Sequence, residues 1–460
     1  PFVLGPFDQL GHFATPINAV WIYESPSLDL VPLERLRKAI SRLLDYYPHL
    51  TGRICIDAST DVRSVNRLGT GIHLVEACCD ASFQSFASDS SESGRDFSIF
   101  DFPGYGNVLL APWDLSLEGV QRDPVFTIQR TEFACSAVAI GMRLSHVVGD
   151  AGSFLGLYQD LAEIYRAMDD PEAGRGPIKL TTPPHLPPFM VDQMLHMDMD
   201  EKNKALNERP ATYSLRGQQL AAPTPAKCEG KSQRELSEDP FVGRSLRFSP
   251  SALATLKRQA IDPDDSSSRA STFTALTAHL WQHIHLARLA HAKNLSNEET
   301  SVYSKSMYGT SVDFTPHFGL PKRSFGNTVV TPIVELDSRK LAQAKLWEIA
   351  KIINDLVRHV SLDETRKLGS WIAAQPKKSD IQLKFKVTPT TLITTGWHHF
   401  PLYSGTELDI PPVFAAPISM ESLFDGMVLF VEPKAKDGGI EAIASMAAST
   451  WELLDADEEF

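Results

Sequence analysis

Apolar residues at Leu33, Leu36, Ile40, Leu43 and Leu44 recur at three- and four-residue spacing, which predicts an amphipathic helix that stops ahead of Pro48. From Phe133 to Leu144 (FACSAVAIGMRL) polar residues nearly vanish, and the run reads as one buried strand. It delivers His146-Val147-Val148-Gly149-Asp150, and a helical pattern follows at once, with Leu155, Leu161, Ile164 and Met168 as its apolar stripe. Asp80 to Gly94 is rich in Ser and acids and reads as a solvated loop. From Asp169 to about Pro240 Pro-rich pieces (TTPPHLPPF, AAPTPAKCEG) alternate with charged ones (MDMDEKNKALNERP), the texture of an extended crossover with little core. The pattern then restarts. Ser245–Phe248 is strand-like, and Ser249-Pro250 opens a helix with the serine as N-cap and the proline in its first turn. Ile261 to Ala270 reads as a loop, and strand-like runs lie near 328–333, 391–395 and 427–431. Alternating helices and strands give an α/β class, divided into 1–190, a crossover at 191–240, and 241–460.

The length of 460 residues makes two domains the default, since single cores stop growing well below that size. Hydrophobic residues at 43% and charged ones at 22% describe an ordinary globular chain. A formal net charge of −13 argues against nucleic acid as a partner, and any polyanionic ligand would need a local basic patch. No apolar run approaches a membrane span, and PFVLGPFDQLGHF lacks the basic-then-apolar pattern of a secretory leader. Five cysteines (Cys55, Cys78, Cys79, Cys135, Cys228) at irregular spacing fit neither a zinc clip nor a disulfide framework. Reduced thiols and a cytoplasmic location follow as the plain reading. Cys135, inside the apolar run, reads as buried.

A strand that carries a histidine to a tight turn suits a general base, because imidazole titrates near neutrality. An aspartate four residues on can orient the ring or brace the turn. HxxxD alone is a weak motif, and a histidine at a strand end is often structural. His279, His283 and His285 offer the i,i+4 spacing of zinc sites, but without the glutamate of HExxH no metal is expected.

Five short segments in order add specificity. The block TIQRTEFACSAVAIGMRLSHVVGDAGSFLGLYQDLAEIYR resembles the histidine-motif region of the BAHD acyltransferases, which use acyl-CoA. Tyr47-Pro48 through Gly52-Arg53 looks like that family's early YPxxxGR turn, Ser271–His283 like its second-half helix, and Phe325-Gly326-Asn327 and Thr395-Gly396-Trp397 like its FGN and TSW segments. The resemblance implies two chloramphenicol-acetyltransferase-like domains, each a mixed β-sheet flanked by helices, with a channel between them. It implies His146 as the base and a turn-stabilising role for Asp150. Thr395 and Trp397 would line the catalytic centre from the second domain, as oxyanion donor and channel wall, or else be a strand end with a packed tryptophan. Ser271 and Thr272 would contact CoA at a helix N-terminus, or simply cap it. Lys257, Arg258 and Arg269 could meet phosphates, although solvated surface charge is the commoner role.

The reaction so implied is transfer of an acyl group, acetyl first, from CoA to a hydroxyl of a specialised metabolite, by a monomer akin to fungal trichothecene acetyltransferases. The partners are a small-molecule acceptor and acyl-CoA, with no nucleic acid, membrane or permanent cofactor. One departure matters. The family's DFGWG is missing, and Thr406-Glu407-Leu408-Asp409-Ile410 stand in its place. The arginine expected two residues past Asp313 is also absent, with Thr315 there instead. Joint loss of a charge pair predicts that Thr315 and Thr406 are neighbours. The departure keeps two rivals open: the same fold running a CoA-independent, base-assisted elimination or cyclisation, and a non-catalytic metabolite-binding protein.

Overall fold

A computed structural model describes residues 1–10, 15–25, 29–87, 97–168, 178–216, 239–292, 301–418 and 424–460. Cys228, the Pro-rich stretch 221–230 and the Ser-rich residues beyond Ala87 lie outside the described residues. The first half contributes strands β1 (Pro16–Tyr23), β2 (His73–Cys79), β3 (Phe126–Phe133) and β4 (Val138–Ser145), with helices α1 (Leu33–Tyr46) and α2 (Ala151–Ala167). The second half contributes β5 (Phe241–Phe248), β6 (Lys305–Thr310), β7 (Ile333–Asp337), β8 (Thr391–Gly396), β9 (Phe414–Ile418), β10 (Met427–Val431) and β11 (Ile440–Ala447). Its helices include α3 (Pro250–Gln259), α4 (Thr272–Ala292) and α5 (Leu346–Arg358).

Two mixed sheets result. One runs β9-β1-β4-β3-β2, with only β2 and β3 parallel; the other runs β7-β6-β8-β10-β11-β5, with β8 parallel to both neighbours. The edge strand β9 comes from the second half and pairs with β1, Phe414 opposite Ile22 and Pro417 opposite Ala19. A proline, lacking an N–H, is tolerated on such an edge.

Strand alternation explains how the halves meet. In β10 and β11, Val428, Phe430, Ala442 and Ala444 pack with Leu276 and Trp281 of α4 in the second core. Leu429, Val431 and Ile443, on the opposite face, join the first core instead, together with Trp397, Leu402 and Leu408. One face of the second sheet therefore serves its own helices and the other serves the first half.

Three local expectations are corrected. The run Phe133–Leu144 is not one strand: Ser136 has φ 63°, and Phe133 N–H donates to the Ala137 carbonyl at 2.9 Å, closing a hairpin between β3 and β4. Cys135 sits in that turn, half-buried. The run 328–333 yields only Val329–Val330 and the start of β7, because Thr328 N–H donates to Asp150 and Pro332 has no N–H. Within the crossover, helices form at Val191–His196 and Met199–Asn207; Asp198 and Glu201 make a reciprocal capping box for the second. These helices leave Leu195, Met199 and Leu206 exposed, so they add little core.

Candidate active site

Every residue of β4 is buried, and the strand ends at Ser145, whose carbonyl accepts from Val148 N–H at 3.0 Å. This turn lifts His146 into a half-buried position while Val147 and Val148, next along it, are buried. Gly149 is required by close approach: a Cβ there would lie 2.9 Å from Ser153 Cβ. Asp150 then caps α2, its Oδ1 accepting from Ser153 N–H at 3.0 Å.

The second half grips this turn through Gly326, Asn327 and Thr328. Asp150 Oδ2 accepts from Thr328 N–H at 2.9 Å and from Thr328 Oγ1 at 3.0 Å. Ser153 Oγ donates to the Gly326 carbonyl at 2.9 Å, and Asp150 N–H approaches the same oxygen at 3.3 Å. Gly326 has φ 135°, a backbone geometry that side chains resist. Asn327 Nδ2 donates to the His146 carbonyl at 2.9 Å, and its Oδ1 lies 3.1 Å from His146 Nδ1. Asp150 thus makes no hydrogen bond to the imidazole among the described contacts; it braces the turn. Burial pushes its carboxyl up, opposed by the donors from Ser153 and Thr328, with the Asp313 carboxylate adding to the rise.

Thr395 and Trp397 lie at the end of β8 and just beyond it. Thr394, on the face toward α4, bonds to Tyr308 Oη at 2.8 Å, so alternation turns Thr395 and Trp397 toward the first half. Trp397 is 7% exposed, its backbone N–H donates to the Phe430 carbonyl at 2.7 Å, and its ring lies 6.3 Å from that of Phe154 in α2. The helix that starts at the histidine turn and the TGW segment therefore share a packed contact. Ser271 caps α4, Oγ accepting from Thr274 N–H at 3.0 Å. Phe273 stacks on His398 with centroids 6.1 Å apart, which sets the first turn of α4 beside the TGW segment. Thr272, half-buried, opens that turn. Lys257 and Arg258 are exposed in the last turn of α3, and Arg258 donates to Thr255 Oγ1 at 2.9 Å. Arg269 donates to the Ser266 and Ser268 carbonyls in its own loop. The three α4 histidines at zinc-like spacing take separate partners: the Phe460 carbonyl for His279, Asp457 for His283 and the Ser338 carbonyl for His285. An open cleft of about 840 Å³ among Arg53, Asn66, Arg67, Leu117 and Arg122 contains none of these residues.

The segment in place of DFGWG is docked by other means. Asp409 accepts from Val31 N–H at 2.6 Å, from Arg35 Nη1 at 3.1 Å and from Tyr165 Oη at 3.0 Å. Thr406 is buried, donating to the Leu402 carbonyl at 2.9 Å, while its own carbonyl accepts from Tyr23 Oη at 2.6 Å. Thr315 bonds instead to Thr328 Oγ1 at 2.6 Å, beside Asp150. Tyr23 in turn meets Tyr158, about two turns along α2 from Asp150, so the two threonines have different neighbours and the predicted pairing fails. Thr315, two residues past Asp313, belongs to the histidine turn, where N–H and O–H donors meet Asp150.

Asn327 and Asp8 are the site residues that motif reading missed. Asn327 belonged to a recognised segment, but nothing in the sequence assigned it the imidazole; Asp8 carried no signal of its own.

Comparison with known proteins agrees with this fold. The Transferase family pattern matches residues 2–460. Shikimate O-hydroxycinnamoyltransferase of Nicotiana tabacum is 22% identical over 424 residues, covering 91% of this chain and 86% of that protein. Acyltransferase GLAUCE of Arabidopsis thaliana is 23% identical over 343 residues, 74% of this chain and 66% of that protein. Among solved structures, F. sporotrichioides TRI101, complexed with coenzyme A and T-2, shares the fold at TM-score 0.68 and 17% identity, over 100% of this chain and 98% of that one. With a family match over nearly its whole length and two mixed sheets joined at the histidine turn, the chain belongs to the Transferase family of BAHD acyltransferases, enzymes that take acyl-CoA as co-substrate.

Proposed function

We propose that the protein transfers an acyl group, acetyl in the first instance, from CoA to a hydroxyl of a small specialised metabolite, with His146 as general base. The observation that carries this is the engagement of His146 Nδ1 by Asn327 Oδ1 at 3.1 Å, which leaves Nε2 for the acceptor's proton. As the acceptor oxygen attacks the thioester carbon, its proton passes to Nε2. The new C–O bond forms, a tetrahedral oxyanion develops, and collapse breaks the C–S bond. The imidazolium then returns its proton to the departing CoA thiolate. A positioned base of this kind supplies roughly 10²–10⁴ in rate.

Thr395 and Trp397, on the sheet face turned toward the first half, serve the oxyanion and the channel wall. Asp150 keeps the turn in shape. Ser271 and Thr272 at the start of α4 meet CoA, and Lys257 and Arg258 on α3 meet its phosphates. Segments 1–190 and 241–460 act as the two domains, linked by 191–240, in a cytoplasmic monomer. The kinship with trichothecene-acetylating enzymes favours a fungal-type acceptor bearing a free hydroxyl; T-2 is the ligand of the structural relative.

The test is a panel of acyl-CoA thioesters read by thiol release in the presence of hydroxylated terpenoid acceptors, with thermal shift on the same ligands. A thioester at 100 times its Kd adds about 2.7 kcal/mol of stability. Acetyl-CoA stabilising the protein and releasing thiol only when acceptor is present is the expected outcome. Product formation without thiol release would assign a CoA-independent reaction instead.

A further inference from the structure

The short turn Phe7–Leu10 brings a carboxylate to the back of the site. Gln9 anchors it: Nε2 donates to the Arg63 carbonyl at 3.1 Å, and Oε1 accepts from Arg63 N–H at 2.8 Å. Asp8, 2% exposed, then faces Asn327. Its Oδ2 accepts from Gly5 N–H at 2.8 Å, and its Oδ1 accepts from Asn327 N–H at 2.7 Å and Asn327 Nδ2 at 2.9 Å.

The hydrogen-bonding logic is then closed. An ionised carboxylate only accepts, so the amide nitrogen of Asn327 must face Asp8. Its other hydrogen goes to the His146 carbonyl, and the atom left for His146 Nδ1 is the amide oxygen. An amide oxygen also only accepts, so Nδ1 must carry the imidazole proton. The lone pair of the neutral ring is thereby placed on Nε2.

We infer that Asp8 is a positioning residue for acyl transfer: by fixing the direction of the Asn327 amide it selects the His146 tautomer whose Nε2 is free to accept a proton. The inference rests on the reading of His146 as the base. With Asp8 uncharged, the amide loses the stronger of the two acceptors that hold Nδ2, the His146 carbonyl being the other, and turns over more readily. It then presents Nδ2 to the ring and favours the tautomer with its proton on Nε2, which has no lone pair for an incoming hydroxyl. A wrongly tautomerised base loses rate without losing its place in the fold. The groups facing Asp8 are the donors of Gly5 and Asn327 and, from the histidine turn, the Asp150 carboxylate. Burial raises the Asp8 carboxyl to about 6, against the donors that hold it down and with Asp150 adding to the rise. At neutral pH it remains mainly the acceptor that the relay needs.

The tautomer can be read directly by nitrogen-15 NMR of histidine-labelled protein above neutral pH, with the His146 signals identified by their absence in His146→Gln. The wild type should show a protonated Nδ1 and a bare Nε2; Asp8→Asn should show a mixture or the reverse. In parallel, Asp8→Asn should lower kcat by roughly 10-fold or more, less than the roughly 10²–10⁴ of the whole base, with KM for acyl-CoA unchanged. It should add nothing to Asn327→Ala. Should Asp8→Asn not fold, Asp8→Ser, which keeps an acceptor but no charge, carries the same readouts. A wild-type tautomer with wild-type kcat per folded molecule would overturn the inference. Full activity of His146→Gln would instead overturn the base assignment, while the tautomer measurement would still decide what Asp8 does.

Discussion

The two ends of α2 are fixed to the rest of the molecule by different chemistry. At its N-terminus, Asp150 is met by the N–H of Ser153 and the N–H and O–H of Thr328; no Lys or Arg pairs with it among the described residues. Farther along, the joints are ionic. Asp160 takes Tyr47 Oη and Arg323 Nη2, each at 2.5 Å, and Asp409 takes Arg35 and Tyr165. Arg166 meets Glu407 at 3.5 Å near the end of the helix. A carboxylate at a helix N-terminus is already favoured by the aligned peptide dipoles and by unpaired N–H groups, so it needs no counter-ion. Neutral donors at the N-terminus hold the turn that carries the base, and ionic contacts farther along tie neighbouring segments to the helix. The contrast separates the part of the interface that sets geometry from the part that supplies adhesion.

The largest expected effect falls on the N-terminal side. His146→Ala should lower turnover by roughly 10² or more, since a general base is worth roughly 10²–10⁴, while its melting curve matches wild type. Near-native turnover would erase the functional side of the contrast. The mirror experiment is Arg323→Gln, which strands a buried Asp160. Loss of one partner from a buried pair costs about 3–5 kcal/mol, toward the low end here because Arg323 keeps some exposure. Urea midpoints should fall while kcat per folded molecule stays; a kcat loss without a stability loss would show that this joint also sets the site's geometry.

Between these lies a pH effect. The Asp8 carboxyl is raised from 3.8 to about 6, so the unfolded chain releases that proton first. Native stability is therefore lost as pH climbs from about 4 to about 6, by about 3 kcal/mol at roughly 1.36 kcal/mol per unit. Asp8→Asn lacks this slope. The stability difference between wild type and Asp8→Asn should shift in the variant's favour by up to that amount over the same window, read by urea melts at each pH. A constant difference would mean that Asp8 does not titrate there. The smallest effect belongs to the half-exposed pair: Arg166→Gln should cost about 1 kcal/mol or less in the same melts. A larger loss would show that the segment replacing DFGWG leans on that contact rather than on Asp409.

Much of the architecture was legible along the chain. The three- and four-residue spacing of Leu33 to Leu44 marked α1, and the Ser249-Pro250 cap marked α3, because local periodicity and capping are properties of neighbouring residues. The histidine turn was legible for the same reason. What misled were features whose local pattern was overruled by distant partners. Phe133–Leu144 stays apolar through a hairpin because Phe133 and Ala137, which flank its turn, are buried, although Ala134 and Ser136 in the turn are exposed. Thr328 left its strand because Asp150 needed its donors. Thr315 and Thr406 looked like two halves of a lost pair, yet each serves a different stretch of α2.

The amino-acid order by itself marked α1, α2 and α3, the strand–turn–helix that presents His146, and a family resemblance carried by short ordered segments. Hydrophobic period, turn chemistry and caps act over a few residues, so they can be read one window at a time. Only the tertiary structure decided that β9 of the second half completes the first sheet, that alternating residues of β10 and β11 divide between two cores, and that Asp8, Asn327 and His146 form one relay. Those contacts join distant positions: 319 residues separate Asp8 from Asn327, and β9 pairs with β1 across 400, as between Asn18 and Ile418 (418 − 18). No periodicity links them; burial does, because a carboxylate shut away from water must find its donors wherever the folded chain brings them.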